Sequence, residues 1–253
     1  MRSTNPYKWL NLLFFLGVIA VNVLSVTLPL GGNTTGEISD KYYTYLTPAG
    51  YAFSIWSLIY VLLAGFIIYQ LRSDTGSRDS VQSIGIWFVL SCVFNMSWLF
   101  LWHYLYIELS VAAMALLLIT LIVIYRKTRN ISSPSTGEKL LVKLPFSIYL
   151  GWISVATIVN VGTVLEKHDW NGFGLSDTTW AVIMLCAGAL LAVAVSFPYR
   201  DFIYPLVFSW AFLAIALEHR DANNVFVTAS VAAGLLVVYS IWLMFTSRSR
   251  SRY

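Results

Sequence analysis

The residues in this sequence that could contact a ligand inside a membrane are uncharged. Three asparagines, Asn22, Asn95 and Asn160, each lie within a long apolar segment. An amide in hydrocarbon needs a hydrogen-bond partner, because burying it unpaired costs about 2–7 kcal/mol. That partner can be a neighbouring helix or a bound ligand, and the sequence leaves both explanations open for each asparagine.

Aromatic residues fall at the same depth as these amides. Trp56, Trp98 and Trp152 lie too deep in their segments for an interfacial belt, whereas Trp87 and Trp102 stand where such a belt would place them. Aromatic faces with a few amides suit a flat, largely apolar ligand, which needs stacking area and limited hydrogen bonding. Simple filling of a helix bundle by aromatic side chains explains the pattern equally well.

The composition identifies the chain as an integral membrane protein. Charged residues make up 11% of the 253 residues, against about 25% in soluble proteins. Hydrophobic residues make up 58%, the mean hydropathy is +0.72, and aromatic residues, including 10 Trp, make up 16%. So few charges could not cover a soluble core. The composition therefore excludes a soluble nucleotide-binding domain, a disordered chain and a disulfide scaffold.

Eight apolar segments are long enough to be considered as membrane spans. A transmembrane helix needs about 20 apolar residues, because every backbone polar group in lipid must be satisfied within the segment. We therefore predict an all-α membrane protein with about eight transmembrane helices, of which the seventh is the shortest. The predicted segments are 9–30, 49–71, 84–105, 107–125, 142–165, 179–198, 202–217 and 223–246.

The Lys and Arg residues predict the orientation, because cations in short loops stay on the cytoplasmic side. With eight spans and the N-terminus inside, only Lys41, Lys167 and Arg220 of the 16 cations fall in outer loops. We therefore predict a multi-pass protein with both termini cytoplasmic, in a bacterial plasma membrane or an organelle membrane. The net charge of +4 then faces anionic headgroups. Membrane lipids are expected partners, and nucleic acid is not. The Arg-rich run 247–252 is interpreted as the flank of the last span.

Ionisable residues are essentially missing from the span interiors, which counts against a proton-coupled pump or an ion channel. No motif of a hydrolase, an ATPase or a zinc enzyme occurs, so no catalytic residue is predicted. His103, His168 and His219 all map to the outer side. A shared metal or haem site is the less favoured explanation for them, so no metal ligand and no required cofactor are predicted.

Three blocks of sequence carry a family resemblance. The second segment contains PAGYAFSIWSLIY over 48–60, the third contains FNMSW over 94–98, and the fifth contains LPFSIYLGWISVATIVN over 144–160. In this pattern the chain resembles the tryptophan-rich sensory protein family, which includes the mitochondrial translocator protein. The last block is the most specific, because its Trp, Ala and Asn are four residues apart and share one helix face.

The resemblance implies a five-helix bundle over residues 1–165, with a pocket beneath the first outer loop, 31–47. Residues 166–253 then form three additional transmembrane helices of unknown role. The family binds tetrapyrroles, cholesterol-like lipids and synthetic drugs. However, the cholesterol-recognition pattern is missing here, since no Tyr lies between Ala156 and Lys167. The ligand-binding residues carried over by position are Trp56, Asn95, Trp98, Trp152, Ala156 and Asn160, to which Asn22 is added from its depth and Tyr51 from the aromatic run of the second segment.

We predict that the protein binds a planar hydrophobic small molecule, with a porphyrin or haem as first choice, for sensing, sequestration or transfer. Two alternatives stay open. One is a transporter of a neutral lipid or metabolite, with the C-terminal helices as a moving element. The other is a light- or oxygen-dependent porphyrin-degrading enzyme with a Trp as radical relay. The sequence does not determine the oligomeric state, and a homodimer is one possibility.

Overall fold

The computed structural model describes residues 5–28 and 30–249, the last three of these by backbone alone. Arg2, Arg250 and Arg252, which enter the charge argument, lie outside the described residues. Over the described ranges the chain is helical and contains no strand. Its long helices are α1 Lys8–Thr27, α2 Ile55–Leu71, α3 Ile86–His103, α4 Ile107–Arg129, α5 Leu144–Lys167, α6 Asp177–Ser196, α7 Tyr204–Glu218 and α8 Asn223–Ser249.

The predicted all-α membrane class is confirmed, and a helix stands at each predicted segment. Among the described residues, seven helices are long and apolar enough to cross a membrane. The remaining helix, α7, has 15 residues. At 1.5 Å per residue it covers about 22 Å, less than the roughly 30 Å of hydrocarbon in a bilayer. The eight predicted spans are thus seven helices of spanning length and one shorter apolar helix.

Short helical turns connect and extend the long helices. Ser135 begins one of them with a capping box, in which its side chain and that of Glu138 each accept from the other residue's backbone N–H. Ser176 caps α6 by accepting from Thr179 N–H. The short elements are Leu30–Gly32, Thr35–Lys41, Gly50–Ser54, Asp79–Gln82, Thr136–Glu138, the π-helical turn Lys139–Lys143, and Gly172–Gly174.

The chain divides into two compact units. Unit 1 comprises Met1–Ile38 and Ile55–Ile153, and unit 2 comprises Ser39–Ser54 and Ser154–Tyr253. The boundary between the units falls inside α5, between Ile153 and Ser154, so this continuous helix contributes residues to both units. The domain boundary predicted at residue 165 stays a prediction.

Unit 1 is built around α3, which packs against α1 and α4, while α2 packs against α1 and the π-helical turn. Its core contains Phe66, Phe88 and Phe146, whose ring centroids lie 5.2–6.3 Å apart. The Gln70 Oε1 atom accepts from the side chain of Asn11 at 2.9 Å, so a buried polar contact also joins α2 to α1. Aromatic packing and paired amides together hold the helices of this unit.

Unit 2 is built around α7, which packs against α6 and α8. A Cβ added to Gly188 of α6 would lie 3.2 Å from the ring of Phe212 on α7. The missing side chain of Gly188 therefore allows α6 to approach α7 closely. Ser209 Oγ donates to the Ala233 carbonyl of α8 at 3.0 Å. Neighbouring helices bury most residues of α7, although its last residues, Leu217 and Glu218, are exposed.

Candidate functional site

The predicted site residues of unit 1 lie together in what we call the aromatic–amide cluster. It draws side chains from α1, α2, α3 and the unit 1 part of α5. The spacing that brings them together is helical, since members on one helix are three, four or seven residues apart. The cluster consists of Asn22, Trp56, Tyr60, Asn95, Trp98, Trp102, Tyr149 and Trp152.

Trp56 is the centre of the ring contacts in this cluster. Its ring stacks on Tyr60 at 5.5 Å and on Trp98 at 6.3 Å between centroids. Tyr149 and Trp152 meet it edge-on, at 5.9 and 6.4 Å. Stacked and edge-on contacts are the two favourable arrangements of aromatic rings. Trp56 is half-buried, whereas Trp98, Tyr149 and Trp152 are buried, so Trp56 is the more accessible ring of this group.

The amides of the cluster form a chain of hydrogen bonds across three helices. Asn22 Nδ2 donates to Asn95 Oδ1 at 3.3 Å and to the Val18 carbonyl at 2.9 Å. Asn95 Nδ2 donates to the Tyr149 hydroxyl at 3.1 Å. Pairing between helices, one of the two explanations that the sequence left open, is therefore present for Asn22 and Asn95.

Trp102 belongs to the cluster rather than to an interfacial belt. Its side chain is 4% exposed, its ring stacks on Trp98 at 5.8 Å, and its Nε1 donates to the Thr35 carbonyl at 3.3 Å. The interfacial interpretation of Trp102 is therefore wrong. The physical reason is the segment after α1, which folds over the end of α3 and covers an indole that would otherwise face the headgroups.

The covering segment, residues 30–35, is also bonded to His103 at the end of α3. His103 Nδ1 lies 3.2 Å from the Leu30 carbonyl, and its Nε2 lies 3.0 Å from Thr35 Oγ1. A carbonyl only accepts, so Nδ1 donates and Nε2 can accept from the hydroxyl. His103 is fully buried, and its ring therefore anchors the segment next to the cluster.

The other three predicted residues lie in unit 2. Asn160 is buried and Ala156 is half-buried, both on α5, where they share a helix face with Trp152. Tyr51 is 42% exposed and meets the ring of Trp210 edge-on at 5.2 Å. The structure thus brings five of the eight predicted residues into one cluster. The binding role of all eight stays a prediction.

The TSPO-like protein family model matches residues 8–242. The chain belongs to this family. This match confirms the resemblance stated from the sequence blocks, and the match continues through α6 and α7 into α8. No curated protein and no solved structure gives a significant match. With its apolar helices, this TSPO-like protein is a multi-pass integral membrane protein.

Unit 2 of the TSPO-like protein contains a cavity of about 310 Å³ that is not among the sites predicted from the sequence. We call it the unit 2 cavity. The sequence feature that could have indicated it is the pair of tryptophans, Trp170 and Trp180, on either side of a Gly-rich turn. The cavity is lined by Tyr43, Thr44, Tyr45, Leu46, Ile158, Val161, Gly162, Leu165, Glu166, Trp170, Asp177, Trp180, Ala181 and Met184.

His219, like His103, has hydrogen-bond partners within its own unit. His219, after α7, is buried, and its Nε2 donates to the Thr47 carbonyl at 2.9 Å. Its Nδ1 lies 3.0 Å from the Tyr43 hydroxyl, which can donate to a neutral ring. Among the described residues, no group of three or more His, Cys, Asp or Glu side chains is arranged to hold a metal ion. These two hydrogen bonds of His219 therefore hold the segment 43–47 against the end of α7.

The His219 contacts predict a pH-dependent stability. Burial lowers the pKa of His219 below its ordinary value of 6.5. Below pH 6.5 the unfolded chain thus takes up a proton that the folded chain resists, and the free energy of unfolding falls as the pH drops towards the lowered pKa. We expect Tm to fall between pH 7.5 and pH 5.5, and to fall less in His219→Gln, which cannot titrate. Thermal melts in detergent at several pH values measure this.

His168→Gln is the matched control for this prediction, because His168 is exposed. It should retain the pH dependence of the unmodified protein. An identical pH dependence in all three proteins would contradict the role given to His219.

Proposed function

We propose that this TSPO-like protein binds a planar hydrophobic ligand, a tetrapyrrole such as protoporphyrin or haem, at the aromatic–amide cluster. The observation that supports the proposal is the set of four rings around Trp56, two stacked on it and two edge-on. A flat macrocycle gains dispersion contacts with ring faces and meets positive ring edges at its own π face. Sensing, sequestration or transfer of the tetrapyrrole would all use this binding step.

The lack of charged residues in the cluster limits how such a ligand can be oriented there. None of the cluster's members is charged, and a carboxylate in an apolar interior without a partner is very costly. We therefore expect the macrocycle to contact the rings while its carboxylates stay near polar groups outside the cluster. The amide of Asn95, bonded to the Tyr149 hydroxyl, can exchange that bond for one to a neutral ligand atom.

The cation distribution supports a cytoplasmic position for both termini. Lys41, Lys167 and Arg220 are the cations in the proposed outer loops, and Arg126, Lys127 and Arg129 end α4 on the proposed inner side. Under this orientation α7 passes between an inner and an outer connection despite its length. Labelling of single cysteines placed at residues 74 and 169 in sealed cells should reach only residue 169, and the reverse pattern would contradict the orientation.

Tetrapyrrole binding is tested by titrating the purified full-length protein in detergent with protoporphyrin. The expected result is a shift of the Soret band together with quenching of Trp fluorescence. Trp56→Ala combined with Trp152→Ala removes two ring contacts of about 0.5–1.5 kcal/mol each. The affinity should therefore fall between about 5-fold and 150-fold.

Trp242→Ala is the control for this experiment. Trp242 is 48% exposed and stacks on Tyr239 in unit 2, outside the cluster. It should leave the affinity unchanged. The proposal fails if the double variant binds protoporphyrin as tightly as the Trp242→Ala variant while both keep the helix content of the unmodified protein.

A further inference from the structure

The unit 2 cavity has the chemistry of a second, separate binding site. It lies among the segment 43–46, the last turns of α5, and the start of α6 with the turn before it. A volume of about 310 Å³ is at the lower end of the range for small-molecule pockets, about 300–1,000 Å³. The size suits a compact ligand with about one ring, and not a tetrapyrrole.

The walls of the cavity are mainly aromatic and aliphatic. Trp170 and Trp180 have their ring centroids 5.1 Å apart at an angle of 52°, and Tyr43 and Tyr45 line another part of the surface. Trp180 Nε1 donates to the Gly172 carbonyl at 2.6 Å, which holds its indole in place. A Cβ at Gly172 would come within 3.0 Å of that indole, so the turn and the ring fit closely. The aromatic surface is thus fixed in position before any ligand arrives.

The charges on the cavity are of one sign. Glu166 and Asp177 line it, and the described lining contains no Lys or Arg. Glu166 lies in the last turn of α5, where the negative end of the helix dipole adds to its field instead of offsetting it. An anionic ligand is therefore disfavoured. Within the part of the chain that the structure describes, no three or more His, Cys, Asp or Glu side chains are arranged to hold a metal ion.

We propose that the unit 2 cavity binds an organic monocation, a tertiary or quaternary ammonium group with an apolar body. Aromatic faces attract such cations through the ring quadrupole, and Trp is the strongest side chain for this contact. The two carboxylates supply the opposite charge, and the aliphatic lining covers the apolar body. This site is independent of the tetrapyrrole proposal, because every lining residue belongs to unit 2 and the aromatic–amide cluster belongs to unit 1.

The test compares benzyltrimethylammonium with neopentylbenzene, its neutral isostere, by calorimetric titration of the full-length protein in a maltoside detergent. The cation should bind at least about tenfold more tightly than the isostere. Glu166→Gln with Asp177→Asn should weaken cation binding about tenfold or more and leave the isostere unchanged. The matched control, Asp74→Asn with Asp79→Asn, removes the same charge from unit 1 and should leave both affinities unchanged.

Two further measurements complete the test. Trp180→Leu should weaken cation binding while the protein keeps its affinity for protoporphyrin, which separates this site from the cluster. In nanodiscs, weaker binding in phosphatidylcholine than in a neutral galactolipid identifies a lipid headgroup as the natural occupant. Equal binding in the two lipids identifies a free small molecule. Equal affinity for cation and isostere, or cation binding that the acidic-pair variant leaves unchanged, overturns the proposal.

Discussion

Replacing Gly31 by alanine is expected to lower the Tm of the purified protein by about 6–16 °C. Gly31 has φ +67°, and an added Cβ would lie less than 3.0 Å from the backbone carbonyl oxygen of His103. The strain of this φ costs a non-glycine residue about 1–2 kcal/mol. The clash also pushes the segment 30–35 off the end of α3, which breaks hydrogen bonds from Trp102 and His103 worth about 1 kcal/mol each. Together these losses come to roughly 3–4 kcal/mol.

Gly32→Ala is the matched control for this prediction. Gly32 also has a positive φ, +85°, but an added Cβ there would have no heavy atom within 4 Å. Only the backbone strain remains, about 1–2 kcal/mol, so its Tm should fall clearly less. Thermal melts in detergent and hydrogen exchange of the 30–38 amides measure both effects. Equal destabilisation by the two substitutions would contradict the close approach of Gly31 to α3.

Glu138→Ala should lower the free energy of unfolding by about 3 kcal/mol, because the carboxylate is buried and accepts several hydrogen bonds at once. Its Oε1 accepts from Ser80 Oγ at 2.7 Å, and its Oε2 accepts from Arg78 Nη1 at 3.1 Å and from Ser135 N–H at 2.9 Å. These bonds join the connection between α2 and α3 to the short helix Thr136–Glu138, which precedes α5. Arg78 is partly exposed, so water compensates part of its loss, and the expected cost is at the low end for a buried pair.

A second ion pair in the same connection provides the comparison. Arg72 and Asp74 lie 3.5 Å apart, but both side chains are mostly exposed. Arg72→Ala should therefore change the free energy of unfolding by about 1 kcal/mol or less. A Tm loss for Glu138→Ala that is no larger than the loss for Arg72→Ala would show that burial of Glu138 contributes little.

The helices could be predicted from the sequence because the membrane requires long apolar runs with internal hydrogen bonds. Their ends were less predictable. The predicted fourth segment stops at residue 125, whereas α4 continues to Arg129, since long cationic side chains can leave the bilayer while their backbone stays helical. The π-helical turn Lys139–Lys143 has a cause that apolar periodicity does not reveal. Pro145 lacks the N–H that would bond to the Leu141 carbonyl, and the turn before it is widened.

The site was predictable only where its residues recur at helical spacing. Trp56, Trp98 and Trp152 could be found by their depth. By contrast, the burial of Trp102 depends on Thr35, and the place of His219 depends on Tyr43 and Thr47. These contacts join residues more than sixty positions apart, and they depend on how irregular segments fold back over helix ends. Propensity and hydropathy describe neighbours along the chain, so they do not report such contacts.

The short length of α7 has a consequence for biogenesis. A segment of 15 residues buries too little apolar surface to settle in a bilayer alone when it leaves the translocon. α8 follows after a tight turn in which Ala222 N–H donates to the His219 carbonyl, and it packs along α7. The two helices are therefore expected to enter the membrane together as one hairpin, with α8 as the segment that commits both to insertion. A chain truncated after residue 222 should leave α7 outside the bilayer.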